Sequence, residues 1–167
     1  GALKSSQDKI FMRGRLRELG IPQPLWDVAQ TADDINQFTR KFGLEKVVVK
    51  TPQGGYDGKG VRFMTGGEGA LDWLSSGPVL VEEEVKFDAE VAQLIARRPS
   101  GGSISWPLVE TLQSNGVCTN VVAPATINPN TQLEAEAIAR TIADGLDVVG
   151  VLAVEMFVRE SGEIVVN

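Results

Sequence analysis

The most informative segment of the chain is Lys50-Thr-Pro-Gln-Gly-Gly-Tyr-Asp-Gly-Lys-Gly60, which directly follows the apolar run Val47-Val48-Val49. Glycine lets backbone N–H groups approach an anion without obstruction by a Cβ atom, and the two lysines of this stretch supply positive charge. A second β-type segment, residues 61–65, follows the glycines, so the pattern predicts a glycine-rich hairpin loop that binds phosphate. The alternative is a long surface turn without a ligand.

The composition indicates a globular protein of ordinary hydrophobicity. The chain has 167 residues, of which 43% are hydrophobic, and a formal net charge of −6, which argues against nucleic-acid binding through a basic surface. It has no histidine, so imidazole catalysis and histidine metal ligation are excluded within these residues. The single cysteine, Cys118, suits a reducing compartment, and no apolar run is long enough to span a membrane. We expect a cytoplasmic protein with no membrane partner.

The hydrophobic pattern predicts an α+β fold with two groups of antiparallel strands, each with helices on one face. A Ser5-x-x-Asp8 capping box is expected to open the first helix, and the turn Ser114-Asn115-Gly116 predicts a hairpin. A helix at residues 68–75 is expected to bury Leu71 and Leu74. The other predicted helices cover residues 5–19, 32–42 and 133–146, and the strands cover 25–29, 46–50, 61–65, 79–85, 90–98, 103–113, 117–125, 149–159 and 163–166. Because the last strand ends without a polar tail, we expect the chain to be part of a longer protein.

Three consecutive carboxylates, Glu82-Glu83-Glu84, end the apolar strand that begins at Val79. Adjacent like charges destabilise a strand, so such a run usually occupies an exposed edge or binds cations. The backbone of a strand that leaves its sheet can also pair with an adenine edge, and Glu90 could accept hydrogen bonds from ribose hydroxyls. Taken alone, these residues favour a solvated acidic turn.

Glu155 interrupts the strongly apolar strand at residues 149–158. By alternation it shares one face with Val151, Ala153 and Phe157. A buried carboxylate needs a cation or hydrogen bonds, and Mg²⁺ bridging phosphates would satisfy it. We favour this metal site over a merely hydrated face because Asn167, a second oxygen ligand, returns on the next strand of the hairpin.

The order of these segments resembles the ATP-grasp fold, in which a glycine hairpin closes over ATP. More narrowly, the motifs resemble the N5-carboxyaminoimidazole ribonucleotide synthetase family, the ATPase subunit of phosphoribosylaminoimidazole carboxylase in purine synthesis. The matching motifs are Gln7-Asp8-Lys9, Lys50, Gly54-Gly55-Tyr56-Asp57-Gly58-Lys59-Gly60, Pro107-Leu108-Val109-Glu110 and Gly150-Val151-Leu152-Ala153-Val154-Glu155. The resemblance implies two α+β lobes with a nucleotide cleft between them. Residues 1–45 would start the domain, 46–85 would form the glycine-loop lobe, and 86–167 would form the second lobe, incomplete at its end.

The resemblance also implies a reaction. ATP phosphorylates bicarbonate to carboxyphosphate, which delivers CO₂ to the exocyclic amine of 5-aminoimidazole ribonucleotide and releases ADP and phosphate. The cofactors would be ATP and Mg²⁺, the full-length protein would be a homodimer, and this chain alone is expected to be inactive. Two alternatives stay open: another ATP-grasp ligase with a different acceptor, and a nucleotide-binding module without catalysis.

Residue roles follow from the same resemblance. Asp57 would orient the substrate amine or manage its proton, and Tyr56 and Lys59 would face the ribonucleotide and carboxyphosphate. Gln113 stands near the nucleotide where relatives often have a histidine, and an amide cannot titrate there. The remaining ligand contacts would be ATP phosphates at Lys9, Lys50, Gly54, Gly55, Gly58 and Gly60, adenine at Glu82, Glu83, Glu84 and Val85, ribose at Glu90, and Mg²⁺ at Glu155 and Asn167.

Overall fold

The computed structural model describes residues 7–54, 60–114 and 116–167. It contains α-helices and two antiparallel sheets, which confirms the predicted α+β class. None of the described helices is both long enough and apolar enough to cross a bilayer. The helices are α1 (Lys9–Glu18), α2 (Ala32–Phe42), α3 (Leu71–Leu74) and α4 (Pro129–Gly145), and the strands are β1 (Trp26–Ala29), β2 (Val47–Lys50), β3 (Val61–Met64), β4 (Val79–Glu83), β5 (Ala89–Arg97), β6 (Ser103–Ser105), β7 (Val109–Ser114), β8 (Val117–Val122), β9 (Gly150–Val158) and β10 (Ile164–Val166).

The chain divides into two compact units. The small-sheet unit contains Pro24–Glu84 and the first part of α1, up to Gly14. The large-sheet unit contains Arg15–Gln23 and Val85–Asn167. The three-part division at residues 45 and 85 stays a prediction.

The small-sheet unit is built on a four-stranded antiparallel sheet in the order β1-β4-β2-β3. Strands β2 and β3 pair on either side of the glycine-rich stretch, and the N–H of Thr51 donates to the carbonyl of Gly60 at 3.1 Å. The predicted hairpin is therefore confirmed at its base. Helix α2 has a capping box between Thr31 and Asp34 and ends at a left-handed Gly43.

The predicted helix at residues 68–75 is only partly helical. A 3₁₀ turn, Gly67–Ala70, precedes the short α3. The prediction that Leu71 is buried is wrong, because its side chain is 57% exposed. Leu74 packs on the core as predicted, together with Trp73. The tight turn changes the helical phase of this segment, and it approaches α2 so closely that a Cβ on Gly67 would lie 2.1 Å from the carbonyl oxygen of Ala32.

The large-sheet unit is built on a six-stranded antiparallel sheet in the order β10-β9-β5-β7-β8, with β6 pairing to β5. Helix α4 packs on β5, β9 and β10. Ile138 and Ile142 on this helix and Leu146 directly after it are buried, as predicted from their helical spacing. The helix begins at Pro129, four residues before the predicted start, because the Asn128 side chain accepts from the N–H of Asn130 and caps it.

One predicted strand is two strands in the structure. The segment at 103–113 is divided into β6 and β7 by the irregular residues 106–108. Pro107 explains the break, since it has no N–H to donate to a sheet. Strands β7 and β8 pair as the predicted hairpin, and Asn115 in its turn lies outside the described residues.

Candidate functional site

Lys9 connects the start of α1 to the start of the glycine-rich stretch. Its backbone N–H donates to the carbonyl of Pro52 at 2.9 Å. Its ammonium group donates to the carbonyls of Thr51 at 3.1 Å and Gly54 at 2.7 Å. Read locally, a single helical lysine would be a solvated charge, but the fold makes Lys9 a partly buried anchor of this stretch.

The helix is capped just before Lys9. The Asp8 side chain accepts from the N–H of Phe11 at 3.0 Å, so Asp8 performs the capping. The capping box expected at Ser5 lies outside the described residues. The cap fixes where α1 begins and therefore where Lys9 lies along it.

Glu82 lies at the centre of a buried ion cluster. Its Oε1 accepts from Nε of Arg13 at 2.5 Å, and its Oε2 lies 2.7 Å from Nζ of Lys50. Glu82 is 2% exposed and Arg13 is 4% exposed. We call Arg13, Glu82 and Lys50 the buried triad.

The surroundings shift two pKa values in this region. Burial alone would raise the pKa of Glu82, but Arg13 and Lys50 outweigh it and hold that pKa below its usual range. Burial lowers the pKa of Lys9, and the Lys50 ammonium lowers it further, while Asp8 and Glu82 act in the opposite direction. The positive charges of Lys9 and Lys50 therefore repel each other, and an anion bound beside them would relieve that repulsion.

Glu82 does not lie in a solvated acidic turn at an exposed edge, as the carboxylate run taken alone suggested. Strand β4 lies inside the small sheet, paired to both β1 and β2. Of the two reasons for an acidic run, cation binding is the correct one for Glu82, and the cations come from the protein itself. The strand ends at Glu83, whose N–H donates to the carbonyl of Leu25, and Glu84 and Val85 follow in irregular backbone.

The middle of the glycine-rich stretch lies outside the described residues. It contains the three residues predicted to face the substrate, Tyr56, Asp57 and Lys59, and the two glycines Gly55 and Gly58. The described ends of the stretch are Gly54, which accepts from Lys9, and Gly60, which is paired to Thr51.

In the large-sheet unit, the other predicted residues share one face of the sheet. Glu90 on β5 lies opposite Phe157 on β9, and Glu155 lies two residues before Phe157. The N–H of Asn167 donates to the carbonyl of Glu155 at 2.9 Å, so these two residues are also opposite each other. We call this surface, with Glu90, Glu155, Phe157 and Asn167, the Glu155 face.

The expectation that Glu155 is a buried carboxylate is wrong, because it is exposed in the described structure. The reason is that Val154, Met156 and Val158 point to the opposite, buried side of β9. Glu155 and Asn167 still offer two neighbouring oxygen ligands, and Mg²⁺ in nucleotide sites commonly uses one or two such groups plus phosphate oxygens. Within residues 7–54, 60–114 and 116–167, no cluster of three or more acidic or cysteine side chains could hold a metal by itself.

Glu90 is more enclosed than Glu155. Its carboxylate accepts from the Gln113 amide at 3.4 Å, and its backbone carbonyl accepts from the Thr111 hydroxyl at 3.4 Å. Phe157, opposite Glu90, stacks on Phe87 with ring centroids 4.5 Å apart. The structure thus brings Glu90 and Gln113 together and places an aromatic pair beside Glu90.

The sequence reasoning missed Arg13 and the aromatic pair. A signal for Arg13 was present, because it follows Lys9 by four positions and this spacing places both cations on one side of a helix. Phe87 and Phe157 are far apart in the chain, so only the pairing of β5 with β9 brings them into contact.

The comparisons with known proteins support the fold. The family model of the ATP-grasp domain matches residues 14–167. The chain belongs to the ATP-grasp family. It is 44% identical over 178 residues to the N5-carboxyaminoimidazole ribonucleotide synthase of Corynebacterium ammoniagenes, a match that covers 99% of this chain and 42% of that protein.

Two solved structures of similar enzymes share the fold. The carboxyaminoimidazole ribonucleotide synthase of Aspergillus clavatus, complexed with ATP, matches with a TM-score of 0.89 and 27% identity over 99% of this chain and 44% of that one. The N5-carboxyaminoimidazole ribonucleotide synthetase of Thermus thermophilus matches with a TM-score of 0.85 and 30% identity over 99% of this chain and 45% of that one. The ATP-grasp chain therefore spans about two fifths of the relatives it matches.

Proposed function

We propose that the chain binds Mg-ATP through its lysines and the glycine-rich stretch. The observation that carries the proposal is the Lys9 ammonium, which donates to the carbonyls of Thr51 and Gly54 at the start of the glycine-rich stretch. The Lys50 ammonium, paired with Glu82, is close enough to lower the pKa of Lys9. Electrostatic repulsion between these lysines favours an anion as the ligand. The solved relative from Aspergillus clavatus is complexed with ATP, which supports the same nucleotide here.

The reaction we propose is the carboxylation of 5-aminoimidazole ribonucleotide to N5-carboxyaminoimidazole ribonucleotide in purine synthesis. ATP transfers its γ-phosphoryl group to bicarbonate, the resulting carboxyphosphate releases phosphate and gives CO₂, and the exocyclic amine attacks CO₂ and loses a proton. The support is the name of the 44%-identical relative, together with the Gly-Gly-Tyr-Asp-Gly-Lys-Gly sequence at 54–60. Tyr56, Asp57 and Lys59 would contact the acceptor, with Asp57 receiving or orienting the amine proton.

Mg²⁺ would lie on Glu155 and Asn167. Both are polar, neighbouring and on one face, and the exposure of Glu155 leaves its carboxylate accessible to a hydrated ion. Mg²⁺ keeps most of its waters and takes few protein ligands when phosphates complete its shell, so two oxygens suffice. The ion would neutralise charge on the transferred phosphoryl group.

The nucleoside would lie beside Glu90. Its carboxylate would accept from the ribose hydroxyls, with Gln113 holding it in place. The segment Glu82–Val85 would offer backbone groups to adenine, and the irregular backbone that starts at Glu84 suits this role better than the paired backbone of β4. The stacked rings of Phe87 and Phe157 would supply an apolar surface for the base.

The test replaces Asp57 with Asn in a full-length enzyme that carries these residues. We expect phosphate release that depends on 5-aminoimidazole ribonucleotide to fall by about 10²-fold or more, because a positioned acid–base group contributes about that much. Mg-ATP affinity should remain within about threefold of wild type, since Asp57 is assigned to the acceptor. Asp27→Asn, at an exposed aspartate of β1, is the matched control and should not change either quantity.

Each alternative has its own outcome. ATP turnover that requires an acceptor other than the aminoimidazole ribonucleotide would identify a different ATP-grasp ligase. Saturable Mg-ATP binding without turnover by any acceptor in the full-length enzyme would identify a binding module. Equal loss of nucleotide affinity and turnover in Asp57→Asn would contradict the role given to Asp57. A cytoplasmic location and a homodimer complete the proposal.

A further inference from the structure

The buried triad divides one carboxylate between two cations. Arg13 and Lys50 contact different oxygens of Glu82, at 2.5 and 2.7 Å. The Lys50 side chain is more accessible, at 14% exposure, than the Arg13 side chain, at 4%. Arg13 is therefore the inner cation of the triad, and Lys50 is the one that an external ligand can reach.

This division has an electrostatic consequence. A single glutamate can compensate a single lysine, and that pair would be neutral. Because Arg13 shares the carboxylate, the triad as a whole carries an excess positive charge. Its location in the protein interior, where water screens little, makes that excess more effective on a ligand nearby.

We propose that Arg13 is a positioning residue for nucleotide binding: by sharing the Glu82 carboxylate, it prevents Glu82 from fully neutralising Lys50, so that the Lys50 ammonium keeps its attraction for a polyphosphate. The proposal rests on the proposed function, because it assigns the phosphates of ATP to Lys50. Arg13 acts through Glu82 and not by contact with the nucleotide. Arg13, which contacts Glu82, and Lys9, which contacts the glycine-rich stretch, lie on the same helix, α1.

The test is a set of charge variants of the whole chain, titrated with Mg-ATP by calorimetry. Arg13→Met removes the inner cation and should weaken binding by about tenfold, which corresponds to about 1.4 kcal/mol. Arg13→Lys keeps the charge and should stay within about threefold of wild type. Arg17→Met, an exposed arginine one turn further along α1, is the matched control for loss of a distant charge and should change affinity by less than about twofold.

The decisive variant is the double replacement Arg13→Met with Glu82→Gln. It removes one positive and one negative charge, so the net charge contributed by positions 13 and 82 is zero, as in the wild type, and binding should return to within about threefold of wild type. If Arg13 only supports the fold, the double variant should bind no better than Arg13→Met, and that result would overturn the proposal. Circular dichroism at the titration temperature establishes that each variant compared is folded. If Arg13→Met does not fold, the double variant is compared directly with the wild type, and binding more than about tenfold weaker would overturn the proposal.

A second readout needs no nucleotide. Acylation of lysine amines at fixed pH, followed by mass spectrometry, measures how freely Lys50 reacts relative to the exposed Lys41. Arg13→Met should slow the reaction of Lys50 by about threefold or more, since Glu82 then holds that ammonium alone, and Glu82→Gln should accelerate it. An unchanged Lys50 rate in Arg13→Met would overturn the proposal. Failure of the wild-type chain to bind Mg-ATP would instead count against the proposed function, and the acylation result would still decide the role of Arg13.

Discussion

The buried triad and the Glu155 face both contain acidic side chains, but the surroundings of their carboxylates are opposite. In the triad, Glu82 is buried and the protein supplies its cations, Arg13 and Lys50. On the Glu155 face, Glu155 is exposed and its backbone partner is the neutral Asn167. The Glu82 carboxylate therefore stabilises the fold, while the Glu155 carboxylate is accessible to an ion from solution.

The largest difference should appear in stability. Glu82→Ala leaves Arg13 and Lys50 without their shared counter-charge, and breaking a buried ion pair in this way costs about 3–5 kcal/mol of the free energy of unfolding. Glu155→Ala removes an exposed side chain and should leave that free energy unchanged within error. Urea denaturation of both variants measures the comparison, and equal destabilisation would refute the distinction between the two carboxylates.

The pH dependence of stability should also distinguish the buried Glu82 from an exposed carboxylate. Because the folded protein holds the pKa of Glu82 below its usual range, the stabilisation by Glu82 is complete above about pH 4.3, the ordinary pKa of a glutamate, and is lost as the pH falls through the folded-state value. The free energy of unfolding of the wild type should therefore fall more steeply below about pH 4.3 than that of Glu82→Gln. Glu84→Gln, just beyond the end of β4, should follow the wild type. A wild-type slope in Glu82→Gln would show that Glu82 does not carry this dependence.

Replacing Glu155 should change the affinity for Mg-ATP and not the free energy of unfolding. Glu155→Gln keeps the size of the side chain but removes the charge that attracts Mg²⁺, so we expect about a tenfold loss of Mg-ATP affinity with normal unfolding behaviour. Glu134→Gln, at an exposed position of α4, is a control for the loss of one negative charge. Calorimetric titrations at several Mg²⁺ concentrations measure the effect. An unchanged magnesium dependence would contradict the proposal that Glu155 is a metal ligand.

The smallest effect is expected at Gln113. Its amide donates to Glu90 over 3.4 Å from an exposed position, which makes a weak hydrogen bond. Gln113→Ala should therefore reduce Mg-ATP affinity by less than about threefold, and a change of tenfold or more would mean that Gln113 contacts the nucleotide directly. The measurement is the same titration, with Thr119→Ala on the neighbouring strand as its control.

The same contrast explains what the sequence could predict. The glycine hairpin, α2 and the β7–β8 hairpin were predictable because caps, turns and alternation are local signals. The exposure of Glu155 was not, because it depends on which face of β9 helix α4 covers. The buried triad joins residues 13, 50 and 82, which are distant in the sequence. The run of carboxylates at 82–84 therefore could not show that two cations from elsewhere in the chain would pair with Glu82. The split of the predicted strand at 103–113 was predictable, because Pro107 has no N–H to donate to a sheet.

The most direct test of the account uses Mn²⁺ in place of Mg²⁺, with ATP, and records the broadening of backbone amide signals in an NMR spectrum of the isotopically labelled chain. We expect the paramagnetic ion to broaden the signals of Glu155 and Asn167 only when ATP is present. Broadening at neither residue, or equal broadening without ATP, would contradict the assignment of the metal to the Glu155 face.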